Sequence, residues 1–196
     1  MDAKSDLKVC LIGNSGVGKT SILERAVSNL FKPETCPTVG YQNSRKEVIK
    51  DNTKYVFNIW DTAGQETFRS LVPVYFREAS AILLVFDVTS KESFDDLQYW
   101  IETLIENDIF SNQIMLIGNK IDLQERAVEL SEITKFQEDN RLFNYFECSA
   151  LSGVNINEIF YALTSMPSIQ RSNQYNQETV TLTPHNENNN NNKNCC

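Results

Sequence analysis

The sequence has 196 residues, 41% of them hydrophobic and 22% charged, and carries a formal net charge of −8 at pH 7. That length suits one domain with a sizeable core and leaves little room for two. The acidic balance disfavours nucleic-acid binding through a basic face. The single histidine, His185, argues against a histidine-based nucleophile triad or a zinc hydrolase.

The cellular compartment is predicted from the targeting and membrane-span patterns that the sequence does not show. Its longest apolar stretch, 81–86, is far shorter than the roughly 20 residues that a membrane-spanning helix needs. The N-terminal sequence has neither an apolar signal core nor the Met-Gly start of myristoylation, which predicts synthesis in the cytosol. The five cysteines are an odd set with no histidine near Cys10, Cys36 or Cys148, so a metal site or disulfide framework is not expected.

Strand and helix patterns alternate along the chain. An apolar strand (7–13) precedes a helical pattern (19–30), and two strand patterns (45–50 and 55–61) follow, joined by a hairpin turn at 51–53. Three further strand and helix pairs are predicted at 81–87 with 93–108, 114–119 with 129–140, and 143–150 with 155–166. This order predicts an α/β fold, a mostly parallel six-stranded sheet with one antiparallel hairpin strand and helices on both faces.

Composition changes after Met166, and seven asparagines lie among residues 186–194. We predict a single domain over 1–166 and a disordered Asn-rich tail over 167–196. The alternative, an edge strand formed by TVTLT (179–183), has no apolar flanking sequence to support it.

A glycine-rich segment follows the first predicted strand and opens the first helix. It matches G-x-x-x-x-G-K-[ST], in the context where such a loop surrounds phosphates with backbone amides. Lys19 would place its charge between the β- and γ-phosphates, and the Thr20 hydroxyl would bind Mg²⁺. The predicted phosphate-binding residues are Gly13, Asn14, Ser15, Gly16, Val17, Gly18, Lys19, Thr20 and Ser21.

Three further motifs end predicted strands and favour a guanine nucleotide. Asp61 would hold Mg²⁺ through water, and the Gly64 amide would reach a γ-phosphate. In Asn119-Lys120-Ile121-Asp122, the Asp122 carboxylate can accept hydrogen bonds from guanine N1–H and the N2 amine, a donor pair that adenine lacks. Ser149-Ala150 would present a backbone amide to guanine O6. Each motif is weak alone, but parallel sheets bind ligands where their strands end, so together they predict a site for GTP or GDP with Mg²⁺.

Over residues 7–166 the chain resembles the Ras superfamily of small GTPases, and WDTAGQETFRSLVPVYF (60–76) is similar to the Rab family. The resemblance implies a P-loop GTPase domain that hydrolyses GTP to GDP and phosphate, slowly unless an activating protein assists. It also implies that Thr38 closes on Mg²⁺ and the γ-phosphate, that Phe31 packs on the guanine edge, and that Gln65 orients the attacking water. The implied catalytic residues are Lys19, Thr38 and Gln65, and the implied metal ligands are Thr20, Thr38 and Asp61.

The sequence departs from the family pattern at several positions. Leu151 stands where a lysine beside the base is usual, and Thr67 and Glu78 replace an arginine and a small residue. In Rabs an exposed aromatic trio reads out the switch, and the matching positions here are Asn43, Trp60 and Tyr75. Asn43 removes one aromatic from this trio. Trp60 and Tyr75 could alternatively be core residues.

The chain ends in Cys195 and Cys196, and a Rab-type Cys-Cys terminus implies geranylgeranylation of both. Two lipids on a neutral tail would give stable anchoring at the cytoplasmic face of an intracellular membrane, with cycling through the cytosol. The alternative is a pair of free exposed thiols. The implied partners are a guanine-nucleotide exchange factor, a GTPase-activating protein, a prenylation escort, a GDP-dissociation inhibitor and effectors, acting on a monomer that binds no nucleic acid.

The function predicted from the sequence is a GTP-hydrolysing switch in vesicle traffic that recruits effectors in its GTP state. A P-loop kinase for a small substrate is one alternative, but it would need an arginine-bearing lid and no guanine motif. A GTP-binding scaffold without turnover is the other, and the presence of Gln65, Thr38 and Lys19 argues against it.

Overall fold

The computed structural model describes residues 2–33, 38, 41–62 and 76–170. Its strands are β1 (Asp2–Ile12), β2 (Tyr41–Lys50), β3 (Thr53–Thr62), β4 (Ala81–Asp87), β5 (Ile114–Asn119) and β6 (Asn144–Glu147). Its helices are α1 (Lys19–Ser28), α2 (Lys91–Asp95), α3 (Leu97–Glu106), α4 (Leu130–Asp139) and α5 (Ile156–Leu163).

The six described strands form one sheet in the order β2-β3-β1-β4-β5-β6. β2 runs antiparallel to β3, and all other neighbouring strands are parallel. Parallel neighbours require crossover connections, which the intervening helices supply. The predicted fold class is therefore confirmed.

The hairpin between β2 and β3 is one residue tighter than predicted. Lys50 pairs with Thr53, so the loop consists of Asp51 and Asn52 alone, and Thr53 opens β3. Both loop residues have positive φ, 48° and 60°. Two successive left-handed residues match the twist of a two-residue hairpin, and aspartate and asparagine tolerate this conformation well.

Side chains alternate across the sheet and build a core on each face. On β1, Val9 and Leu11 belong to a cluster that includes residues of α1 and α5, whereas Cys10 and Ile12 belong to a second cluster with residues of α3 and α4. Since successive strand residues point to opposite faces, an apolar run such as β1 needs helices on both sides. The sheet is therefore covered on both faces, and its polar groups concentrate where the strands end.

Two predicted elements are shorter or more divided than expected. The helix predicted over 93–108 is two helices, α2 and α3, separated at Asp96, and Ser90 caps α2 by accepting a hydrogen bond from the Ser93 amide at 3.2 Å. The strand predicted over 143–150 ends at Glu147. After it the chain turns, with the Ser149 amide donating to the Val154 carbonyl at 3.2 Å.

The predicted domain boundary at residue 166 lies too early. Ile169 is fully buried in the same cluster as α1 and α5, and the Ser168 hydroxyl donates to the Ser80 carbonyl at 2.6 Å. A single apolar residue in a polar stretch has no periodicity to mark it, which is why the composition change suggested an earlier end. Residues 171–196, including the predicted edge-strand alternative, lie outside the described residues. Among the described helices none is long and apolar enough to span a membrane.

Candidate nucleotide-binding site

A cavity of about 530 Å³ opens beside the N-terminus of α1, at the edge of the sheet where β1, β5 and β6 end. The residues that line it and that were also predicted from the sequence are Ser15, Gly16, Gly18, Lys19, Thr20, Ser21, Phe31, Thr38, Asn119, Lys120, Asp122, Ala150 and Leu151. The lining residues not predicted are Lys32, Pro33, Thr62 and Leu123. The phosphate-loop and base motifs, about 100 residues apart in the chain, therefore surround one space.

Two glycines allow the phosphate loop to pass close to other parts of the site. Gly13 and Gly18 have φ of 141° and 96°. A Cβ on Gly13 would lie 2.1 Å from the Val85 carbonyl oxygen, and one on Gly18 would lie 2.3 Å from the Asn119 side-chain nitrogen. Side chains at these two positions are thus excluded both by backbone conformation and by space.

Lys19 is almost fully buried at the start of α1. Its ammonium donates to the carbonyls of Gly13 and Asn14 at 2.8 and 2.7 Å. Burial lowers the pKa of Lys19 to about 8, against a smaller opposing effect of nearby Asp61. A desolvated cation held by the phosphate loop is a strong attractor for an anion.

This lowered pKa predicts proton uptake on nucleotide binding. A phosphate beside Lys19 favours the charged amine and raises its pKa, so GDP binding should take up about half a proton at pH 8 and nearly a whole one at pH 9. Calorimetry in buffers of different ionisation enthalpy measures this number. Uptake that failed to increase between pH 8 and pH 9 would contradict the assignment of Lys19 to the phosphates.

Three polar side chains from separate segments meet beside Lys19. The Thr20 hydroxyl donates to Asp61 Oδ2 at 2.6 Å and lies 2.9 Å from the Thr38 hydroxyl. Asp61 is fully buried, burial raises its pKa, and its Oδ1 has no hydrogen-bond partner among the described residues. An unpaired buried carboxylate oxygen is costly, and two neighbouring hydroxyls complete an oxygen donor set that suits Mg²⁺. The residues present therefore fit this ion.

The base end of the cavity is organised by side-chain hydrogen bonds. The Ser149 hydroxyl donates to Asp122 Oδ1, which fixes the direction of that carboxylate. Asn119 donates from Nδ2 to the Val17 carbonyl at 2.9 Å and accepts the Ala150 amide at 3.1 Å. Asn119 thus connects the phosphate loop with the segment that follows β6.

Several supporting residues were not predicted from the sequence. Asp87, at the end of β4, forms an ion pair with Lys120 at 2.7 Å. Asp96 and Trp100 tie the predicted residue Asn14 of the phosphate loop to α3. The Asp96 carboxylate accepts from Asn14 at 2.7 Å, and the Trp100 indole donates to Asn14 at 2.8 Å. Asp87 could have been found from the sequence, because its carboxylate directly follows the apolar run of β4, at the end of the sheet where the other motifs lie.

Several of the residues singled out in the sequence lie in parts of the chain that the structure does not describe. Gly64, Gln65, Thr67 and Tyr75 lie outside the described residues, as do Cys195 and Cys196. Of the other predicted residues, Gly13, Asn14, Val17, Asp61 and Ser149 support the cavity through the contacts given above. No group of three or more His, Cys, Asp or Glu side chains suited to a metal occurs in the described part of the chain.

Comparison with known proteins identifies the family. A model described as the Ras family matches residues 8–168. The chain is 39% identical to the Ras-related protein Rab-22A of Mus musculus over 162 residues, covering 83% of this chain and 84% of the relative. It is 43% identical to the GTP-binding protein YPT53 of Saccharomyces cerevisiae over 164 residues, covering 80% and 74%, respectively. The chain belongs to the Ras family and is a small GTPase of the Rab type, an enzyme that binds GTP and hydrolyses it to GDP.

Proposed function

We propose that this GTPase is a switch that regulates vesicle traffic by recruiting effectors in its GTP state. The supporting observation is the meeting of Thr20, Thr38 and Asp61 beside Lys19. Thr38 belongs to the segment between α1 and β2, so a γ-phosphate at this point would act directly on that segment. An interaction that forms with GTP and breaks with GDP is the physical basis of a switch.

In this proposal each group has one role in hydrolysis. The phosphate-loop amides and Lys19 hold the phosphates and stabilise charge that develops on them. Thr20, Thr38 and Asp61 would hold Mg²⁺, which neutralises phosphate charge when bound. Gln65 orients a water that attacks the γ-phosphorus, and the bond to the β,γ-bridging oxygen breaks to leave GDP and phosphate. Asp122 selects guanine because its carboxylate accepts hydrogen bonds from guanine N1–H and the N2 amine.

The proposed effector face lies on the exposed side of the β2–β3 hairpin. Asn43 pairs with Trp60 across the two strands, and Tyr41 stacks on the Trp60 ring at 4.9 Å between centroids. Tyr41 is 51% exposed, whereas Trp60 is partly buried against the core. The Lys8 ammonium lies 4.8 Å from the Trp60 ring centroid. Tyr41 therefore supplies the aromatic surface that Asn43 lacks, and Trp60 serves both the core and the face.

Nucleotide-dependent capture tests the switch proposal. Immobilised protein loaded with a non-hydrolysable GTP analogue should retain cellular proteins that the GDP-loaded protein does not. Tyr41→Ala should weaken this capture, because large aromatics dominate interface energies. Tyr161→Ala, which removes an exposed aromatic from α5, is the matched control. Equal capture in both nucleotide states would contradict the switch proposal, and unchanged capture by Tyr41→Ala would rule out this face as the effector-binding surface.

The remaining proposals concern membrane and regulators. We propose lipid attachment at Cys195 and Cys196, which would hold the protein at the cytoplasmic face of an intracellular membrane. An escort protein would present the chain for prenylation, and a GDP-dissociation inhibitor would return it to the cytosol. An exchange factor and an activating protein would set the rates of nucleotide exchange and hydrolysis.

A further inference from the structure

Arg25, on the second turn of α1, binds three main-chain carbonyls at once. Nε donates to the Ala150 carbonyl at 2.9 Å, Nη2 to the Leu151 carbonyl at 2.5 Å, and Nη1 to the Asn29 carbonyl at 2.9 Å. Ala150 and Leu151 lie in what we call the base loop, residues 149–153. A guanidinium presents its donors in a rigid fork, so two adjacent carbonyls fix the loop in one orientation.

The base loop is held from two sides at Ala150. Its N–H donates to Asn119 Oδ1 at 3.1 Å, and its carbonyl accepts from Arg25. The Leu151 side chain is 51% exposed and so gives the loop little apolar anchoring. Gly153 lies beside the arginine, since a Cβ there would make ordinary contact with Arg25 Cδ at 3.6 Å. Arg25 is thus a principal anchor of the loop carbonyls.

The same helix carries the phosphate contacts. Lys19 and Thr20 begin α1, and Arg25 lies on it six residues after Lys19. An α-helix rises about 1.5 Å per residue and is stiff over this length. α1 therefore sets the distance between the phosphate end of the cavity and the base loop.

We infer that Arg25 is a positioning residue for guanine recognition, and this inference rests on the proposed nucleotide site. By holding the base loop at a fixed distance from the phosphates, Arg25 lets the Leu151 amide, which follows the bound Ala150 carbonyl and lines the cavity, meet the guanine O6 while the phosphates are seated. Arg25 bound to the Ala150 carbonyl also polarises the peptide between Ala150 and Leu151, which strengthens the Leu151 N–H as a donor. Loss of Arg25 should therefore weaken contact with O6 more than contact with the N2 amine, which Asp122 reads.

Three nucleotides distinguish the contact with guanine O6 from the contact with the N2 amine. GDP has all of them, 6-thio-GDP replaces O6 by a weaker acceptor and keeps N1–H and the N2 amine, and IDP keeps O6 and lacks the amine. Dissociation rates are measured for each with the purified protein and with Arg25→Ala and Arg25→Lys. In the unmodified protein we expect 6-thio-GDP to leave about five- to tenfold faster than GDP. In Arg25→Ala this ratio should fall towards one, while the ratio of IDP to GDP stays unchanged.

The controls distinguish positioning from general loosening. Arg25→Lys can reach fewer carbonyls and should give an intermediate ratio. Arg126→Gln removes another partly exposed arginine that binds a main-chain carbonyl, that of Val128, and should leave both ratios unchanged. An unchanged 6-thio-GDP ratio in Arg25→Ala and Arg25→Lys would overturn the inference, as would an equal fall in both ratios. If the unmodified protein bound ADP as tightly as GDP, the guanine site itself would fail instead.

Discussion

Replacing Asp122 by asparagine is expected to weaken GTP binding by roughly 10²- to 10⁴-fold and to create a preference for xanthosine triphosphate. A carboxylate accepts from both N1–H and the N2 amine of guanine. An asparagine amide would set its own donor against that amine, whereas xanthine offers a carbonyl at the same position. The change therefore reverses one hydrogen bond and leaves the shape of the side chain almost unaltered.

The surroundings of Asp122 favour this exchange of specificity. The Ser149 hydroxyl donates to Asp122 Oδ1. In the asparagine variant the same hydroxyl would hold the amide oxygen and direct the amide nitrogen towards the base. The new donor would thus arrive already oriented, which reduces the ordering cost of binding xanthine nucleotide.

Competition between GTP and xanthosine triphosphate for a fluorescent nucleotide measures the change. Asp122→Ala is the matched control, since it removes the acceptor without adding a donor and should weaken GTP without favouring xanthine. The assignment of guanine selection to Asp122 would be wrong if Asp122→Asn kept the GTP affinity of the unmodified protein. It would also be wrong if Asp122→Ala showed the same preference for xanthosine triphosphate as Asp122→Asn.

Replacing Thr20 by alanine is expected to remove most of the Mg²⁺ dependence of nucleotide retention. In the unmodified protein, chelation of Mg²⁺ should accelerate GDP release. Loss of one charge-assisted contact is worth ~1.5–3 kcal/mol, so GDP should leave Thr20→Ala about 10- to 150-fold faster before any chelator is added. Added chelator should then have little further effect, because the hydroxyl that completes the oxygen set is already absent.

Ser21→Ala is the matched control for this variant, as it removes the neighbouring hydroxyl of α1 that also lines the cavity. GDP release from Ser21→Ala should keep its full response to chelator. The release rate is followed by the fluorescence of bound nucleotide, with and without EDTA. A Thr20→Ala variant that still responded to chelator as strongly as the unmodified protein would exclude Thr20 from the metal site.

The amino-acid sequence by itself determined the strand and helix order, the phosphate loop and the guanine motifs. These features are local, since apolar periodicity reports burial within one element and a glycine-rich loop needs only its own few residues to turn. The apolar runs of β4 and β5 set their bounds without help from the rest of the chain, and both strands match their predicted residues. The phosphate-loop and guanine motifs line one cavity because each follows a strand and parallel strands end at one edge of the sheet.

Tertiary structure alone decided which residues support those motifs. Arg25 and Ala150 are separated by 125 positions in the chain, and Lys8 and Trp60 belong to different strands. No local pattern distinguishes an arginine that binds a distant loop from one that faces solvent. The burial of Ile169 and the stacking of Tyr41 on Trp60 likewise depend on neighbours brought together by the sheet. Such contacts form only where strand order and register place two distant segments side by side, and periodicity within a segment carries no information about either.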